Sequence, residues 1–117
     1  MITIKNTVKQ LLESTGAAVW YFHPQSWARL PAVSWRESGN RELAQADGRE
    51  HLVELTYAVD VWAKSPEETH ALADAVDAVL TAARLRRDYA EDLFEADMHH
   101  RSMRYRCVAD AAGRIYQ

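Results

Sequence analysis

Apolar residues recur along this chain with two periods, one near 3.6 and one of 2, and each period predicts its own kind of element. Ile4, Val8, Leu11 and Leu12 fall at i, i+4, i+7 and i+8. That spacing makes one apolar stripe and predicts a helix over 2–15, stopped at Gly16. Residues 17–22 are small, β-branched or aromatic and predict a first strand, ended by His23-Pro24. The connection from Pro24 to Pro31 carries Trp27 and Leu30 between two prolines. It is expected to be stiff and to pack against the body.

Residues 32–37 predict a second strand. Ser38 to Gly48 is polar, contains Gly39, Asn40, Asp47 and Gly48, and keeps no period, so it is predicted to be a long mobile loop. The next segment, 51–63, has the clearest alternation. Val53, Leu55, Tyr57, Val59 and Val61 lie on one face, and Glu54, Thr56, Ala58 and Asp60 on the other, with Leu52 and Trp62 at the ends. Ser65-Pro66-Glu67-Glu68 then combines an N-cap residue, a proline at the first helical position and a capping-box glutamate. The helix buries Leu72, Val76, Val79, Leu80 and Ala83 and is expected to end on Arg84, Arg86 and Arg87, where cations complement the dipole. Two strands follow over 88–97 and 98–110. In the second, Met103, Tyr105 and Cys107 alternate with Arg104, Arg106 and Val108. Ala112-Gly113 is a turn before a short strand at Ile115-Tyr116. Grouped strands without βαβ repetition predict an α+β fold, a mainly antiparallel sheet of about five strands with two helices packed on one face. The whole chain, 1–117, reads as a single domain.

Composition narrows the function. At 117 residues the chain can bury roughly two-thirds of its unfolded surface, enough for a core without staples. An apolar fraction of 48% and a charged fraction of 26% match globular averages and argue against disorder. The single cysteine, Cys107, cannot form an intramolecular disulfide or a zinc site alone, which points to a reducing compartment. No apolar run approaches the roughly 18 residues of a membrane span. Lys5, Lys9 and Glu13 interrupt the N-terminus, so no signal peptide is expected and the protein is placed in the cytoplasm where it is made. A net charge of −3 is not the footprint of a nucleic-acid binder.

Candidate chemistry is thin. His99 and His100 follow Asp92, Glu95 and Asp97, but neighbours in a strand point to opposite faces and cannot readily share one ion. His99 is expected on the inner face and His100 in solvent or at an interface. Cys107 sits in an apolar alternating set and reads as buried and inert. Glu91, Asp92, Glu95 and Asp97 read as a solvated strand face. The chain has no G-x-S-x-G, no G-x-x-x-x-G-K-[ST] and no G-x-G-x-x-G. No enzyme, cofactor or metal site is expected. Trp62 shares a face with Asp60 and Thr56, so it is either an interface anchor or covered by the first helix. Arg101, Arg104 and Arg106 form a basic cluster opposite the acidic stretch 91–97. They are expected to make cross-strand ion pairs or contacts between subunits.

The run Pro24-Gln25-Ser26-Trp27-Ala28-Arg29-Leu30-Pro31-Ala32-Val33-Ser34-Trp35-Arg36-Glu37 is similar to the early segment of small tail completion proteins of long-tailed phages and prophages. The resemblance resumes at Glu54-Leu55-Thr56-Tyr57-Ala58-Val59-Asp60-Val61-Trp62-Ala63-Lys64-Ser65. It continues through the helix to Arg87, Asp92-Leu93-Phe94-Glu95 and His100 to Arg106. It implies an α+β tail completion (tail terminator) subunit, without catalysis or cofactor, that forms a homo-oligomeric ring, typically a hexamer. Such a ring caps the tail tube of the major tail tube protein and joins it to the head–tail connector protein. DNA passes through the lumen without specific binding, and no membrane is involved. The protein would work in the host cytoplasm during assembly and then in the virion tail.

On this reading Asp60, Trp62, Arg101, Arg104 and Arg106 are expected at subunit contacts. Arg41, Glu42, Asp47 and Arg49 are expected on a loop facing the lumen or the tail tube. Two other readings compete: another head–tail joining (neck) protein, and a small-ligand-binding α+β domain, which would need a concave apolar pocket.

Overall fold

A computed structural model describes residues 1–24, 26, 29–95 and 97–116. Two helices and six strands run in the order α1 (Lys5–Glu13), β1 (Ala18–Tyr21), β2 (Ala32–Ala46), β3 (Arg49–Ala63), α2 (Pro66–Ala82), β4 (Arg86–Glu95), β5 (Met98–Asp110) and β6 (Ile115–Tyr116). The strands form one sheet in the order β1-β2-β3-β5-β4, with β6 pairing β5. Only β1 is parallel to its neighbour, β2; every other pair is antiparallel. The expected α+β class and mainly antiparallel sheet are what the structure shows. The packing that Trp27 was expected to make lies outside the described residues.

The period-2 alternation in β3 sorts its residues as predicted. Val53, Leu55, Tyr57, Val59 and Val61 are fully buried and join Met103, Tyr105 and Cys107 of β5 in the core. The helices close this core with Val8 and Leu12 from α1 and Leu72, Val76 and Leu80 from α2. Burying side chains of this size contributes about 1.5–3 kcal/mol each relative to exposure. The sheet is long as well as packed, and the molecule measures 51 × 27 × 22 Å.

Two expected boundaries are corrected. Ser38 to Gly48 is not a loop: β2 runs on to Ala46, and β2 and β3 form one long hairpin joined by Asp47-Gly48. Both turn residues have positive φ, 54° and 73°, as a two-residue turn matched to the twist of the strands requires. Irregular pairing near Ser38 and Leu43 breaks the alternation, which is why the segment looked patternless. The second correction is at the end of α2. Arg86 and Arg87 belong to β4, and the last turn of the helix carries no cation. Arg84 adopts φ 74°, its amide bonds Thr81 O at 2.9 Å, and the Leu85 amide bonds Leu80 O at 3.0 Å. This paired arrangement ends a helix, and its companion apolar contact is supplied by Leu80 and Leu85, both buried. At the other end the predicted cap is present: the Glu68 amide donates to Ser65 Oγ at 3.2 Å, with Pro66 following.

The N-terminal segment ties the hairpin to the body. Asn40 Nδ2 donates to the Ile2 carbonyl at 2.9 Å, and the Ile2 amide donates to Glu50 Oε1 at 3.1 Å. Tyr57 Oη donates to Glu37 Oε1 at 2.9 Å, which also accepts from Thr3 Oγ1 at 2.6 Å. Burial is the main reason the Tyr57 hydroxyl is held well above its ordinary pKa.

Candidate functional site

The face of the sheet turned away from the core holds most of the residues singled out from sequence. At one corner of it, β3, β5 and β4 meet around His100. Its register partners are Trp62 on β3 and Leu93 on β4. The imidazole stacks on the Trp62 ring at 3.7 Å between centroids, with planes 11° apart. Nε2 lies 2.9 Å from Asp60 Oδ1, and Nδ1 lies 2.8 Å from Glu95 Oε1. Two carboxylates can be satisfied together only if both ring nitrogens donate, which makes the ring an imidazolium. Burial alone would lower the His100 pKa. The hydrogen bonds and charges of Asp60, then of Glu95, outweigh burial and raise it.

His99 lies on the inner face as expected, on the side of Val61, and the correction concerns His100, which is buried and not in solvent. His100 is the buried one and His99 is half-buried, its ring meeting Phe94 edge-on at 5.0 Å. The neighbours still point to opposite faces, but the outer face is covered at this corner. Trp62 is 5% exposed. Its Nε1 donates to Ser34 Oγ at 2.9 Å, and the His23 ring meets it edge-on at 5.2 Å. The first helix is not its cover, because the residues of α1 pack in the core on the opposite face. A tryptophan next to an aspartate was the visible signal; the missing inference was that His100 of another strand would bridge them.

The three arginines divide. Arg101 bonds Asp92 Oδ1 at 2.7 Å directly across the β4–β5 ladder, the cross-strand pair anticipated from sequence. Arg104 lies over the Tyr89 ring at 5.5 Å, and Tyr89 in turn donates to Glu91. Arg106 lies 3.9 Å from Asp88. Arg104 and Arg106 point outward and are exposed; Arg101 is on the other side and half-buried.

Of the hairpin residues, Arg41 and Glu42 are in β2, Asp47 is in the turn and Arg49 begins β3, all exposed. Arg41 pairs with Glu54 at 3.1 Å. The turn signature Asp-Gly was legible in the sequence and identifies a hairpin, not a loop.

Elsewhere the chemistry is muted. Cys107 is buried as expected; burial first, then the charge of Glu37, pushes its thiol up to about 11, so thiolate is scarce at neutral pH. The described residues contain no group of three or more His, Cys, Asp or Glu side chains placed to hold a metal ion. A cleft of about 710 Å³ opens where β4 and β6 leave a gap beside β5. Arg84, Arg86, Arg87 and Arg106 line it, so its walls are charged, unlike the apolar pocket a small-ligand domain would need.

These features define a small α+β domain with a covered core face, a sealed polar corner and, among the described residues, no strand paired to the outer edge of β1 or β4. The family model for Tail completion protein gp17 matches residues 6–110, and the chain belongs to that family of structural phage tail proteins. No curated protein matches it.

Proposed function

We propose that this protein is the tail completion, or tail terminator, subunit: a homo-oligomeric ring, typically a hexamer, that caps the tail tube and joins it to the head connector. The family match over residues 6–110 carries this reading. The open edges of the sheet are in keeping with it, because closed rings need two different surfaces on each subunit.

Within that ring, Arg104 and Arg106 meet a neighbouring subunit, while Asp60, Trp62 and Arg101 hold the β4–β5 border rigid behind them. The hairpin tip, with Arg41, Glu42, Asp47 and Arg49, faces the lumen or the tail tube. Two cations and two anions there give no strong field, so DNA slides past without sticking. Tight, salt-sensitive binding of duplex DNA by the isolated protein would contradict this part. The ring assembles in the host cytoplasm and stays in the virion tail, with the major tail tube protein on one side and the connector on the other.

Complementation tests the whole proposal. Deleting the gene from its phage should give tails of uncontrolled length or heads left unjoined, and supplying the protein should restore both. Normal, joined tails in the deletion would overturn it.

A further inference from the structure

The two ends of the sheet are unlike each other and fit each other. Strand order places β1 and β4 at opposite ends, four inter-strand steps or roughly 19 Å apart. Among the described residues no strand pairs with the outer edge of either. Open edges with exposed apolar side chains are normally blunted or covered. Here β1 and the residue after it expose Trp20, Tyr21 and Phe22 in a row, and β4 exposes Tyr89, Leu93 and Phe94. Phe94 is 63% exposed, an unusual position for a phenylalanine.

Beside β1 there is a groove of about 360 Å³ against α1, lined by Lys5, Lys9, Val19, Trp20, Tyr21 and Trp35. A cavity of about 150 Å³ already accepts benzene, so a phenyl side chain fits with room to spare. Charge runs the same way. β4 begins with Arg86 and Arg87, but from Asp88 to Glu95 it carries four carboxylates and no cation, and Asp92 stays exposed although it pairs with Arg101; the groove has two lysines and no acid at its wall. Lys5 lies 5.5 Å above the Tyr21 ring, and among the described residues neither lysine forms an ion pair. Register puts Asp92 and Phe94 on the helix side of the sheet, the side on which Val61 and Val59 are buried.

We infer that the α1–β1 groove of one copy of this chain receives the β4 edge of the next, with Phe94 as the anchor in the groove and Lys5 and Lys9 facing Asp92. The inference rests on the ring reading and names its interface. A second copy is the occupant because the two surfaces match in sign and shape and cannot meet within one chain. A symmetric dimer through the β1 edge is disfavoured, since it would set lysines against lysines. Different surfaces meeting head to tail generate a ring when the rotation closes.

Cysteine cross-linking on assembled tails tests the contact. Lys9→Cys and Phe94→Cys are made singly and together, in cells whose phage lacks the gene, and the tails are purified and oxidised. Cys107 stays silent because it is buried and its thiol is pushed up to about 11. The double variant should yield a ladder of covalent oligomers that closes at the ring size; each single variant should yield none, and the two singles together should yield dimers. Capped tails without a ladder would overturn this interface and leave the ring reading intact, as would self-linking of either single variant. Tails that carry none of the protein would overturn both. Phe94→Ala, at an exposed position that should not disturb folding, provides a second arm. It should raise the concentration for half-assembly roughly thirtyfold, the loss expected of an anchor residue; unchanged assembly would overturn the anchor.

Discussion

The outer face of one sheet is treated in opposite ways at its two ends. Near Trp62 it is sealed: the indole, His100 and Asp60 fold into one another, and Ser34 beneath them is fully buried. Toward the Asp47-Gly48 turn, the same two strands leave the outer-face Arg41 exposed against Glu54, and Glu42 and Arg49 are exposed on the other side. Both ends obey the same pleat. What differs is whether polar groups on neighbouring strands find partners that remove them from water. At the corner they do, and the strands are clamped. At the tip they pair only weakly, and the surface stays available to another molecule.

That contrast is open to direct attack. The largest effect should come from Trp62→Ala, which leaves a cavity under His100 and should cost about 3–5 kcal/mol, read from urea denaturation. A loss below 1 kcal/mol would mean the corner is not sealed. Removing the charge comes next. Folding raises the His100 pKa above its ordinary 6.5, so the folded chain holds this proton more tightly than the unfolded chain. The resulting stability is fully present below that value and is lost as pH rises through the folded pKa. His100→Gln should therefore lower stability and flatten its decline with rising pH; an unchanged pH profile would place the proton elsewhere. At the tip, Gly48→Ala should cost about 1–2 kcal/mol, because φ of 73° is strained for any residue with a Cβ. The smallest effect should be Arg41→Ala. Its ion pair is exposed on the arginine side, and the change in stability should stay within about 0.5 kcal/mol by the same assay.

Much of the fold was legible where local chemistry and burial agreed. The alternation in 51–63 gave both the strand and its buried face, and Ser65-Pro66-Glu67-Glu68 located the start of α2. Errors arose where a local irregularity hid the pattern. Extra residues at Ser38 and Leu43 shifted the phase of β2, and a segment read one residue at a time lost its strand period. Arg84 looked like a dipole cap but supplied a left-handed stop, a conformation more often left to glycine. The His100 corner was the least legible part. Asp60, Glu95 and His100 come from three strands, and only the register of β3, β5 and β4 brings them within hydrogen-bonding distance. The open edges were invisible for the same reason: which strands end the sheet depends on its order, and no single segment encodes that.

The central claim is that this domain closes a tail as a ring of identical subunits. Electron cryo-microscopy of the head-proximal tip of tails, with the protein tagged at its C-terminus, tests it most directly. The account predicts a ring of six tagged 13.3 kDa subunits seated on the tube, joined edge to edge. Tagged density along the tube or at its distal end, or a tip without a ring, would contradict it.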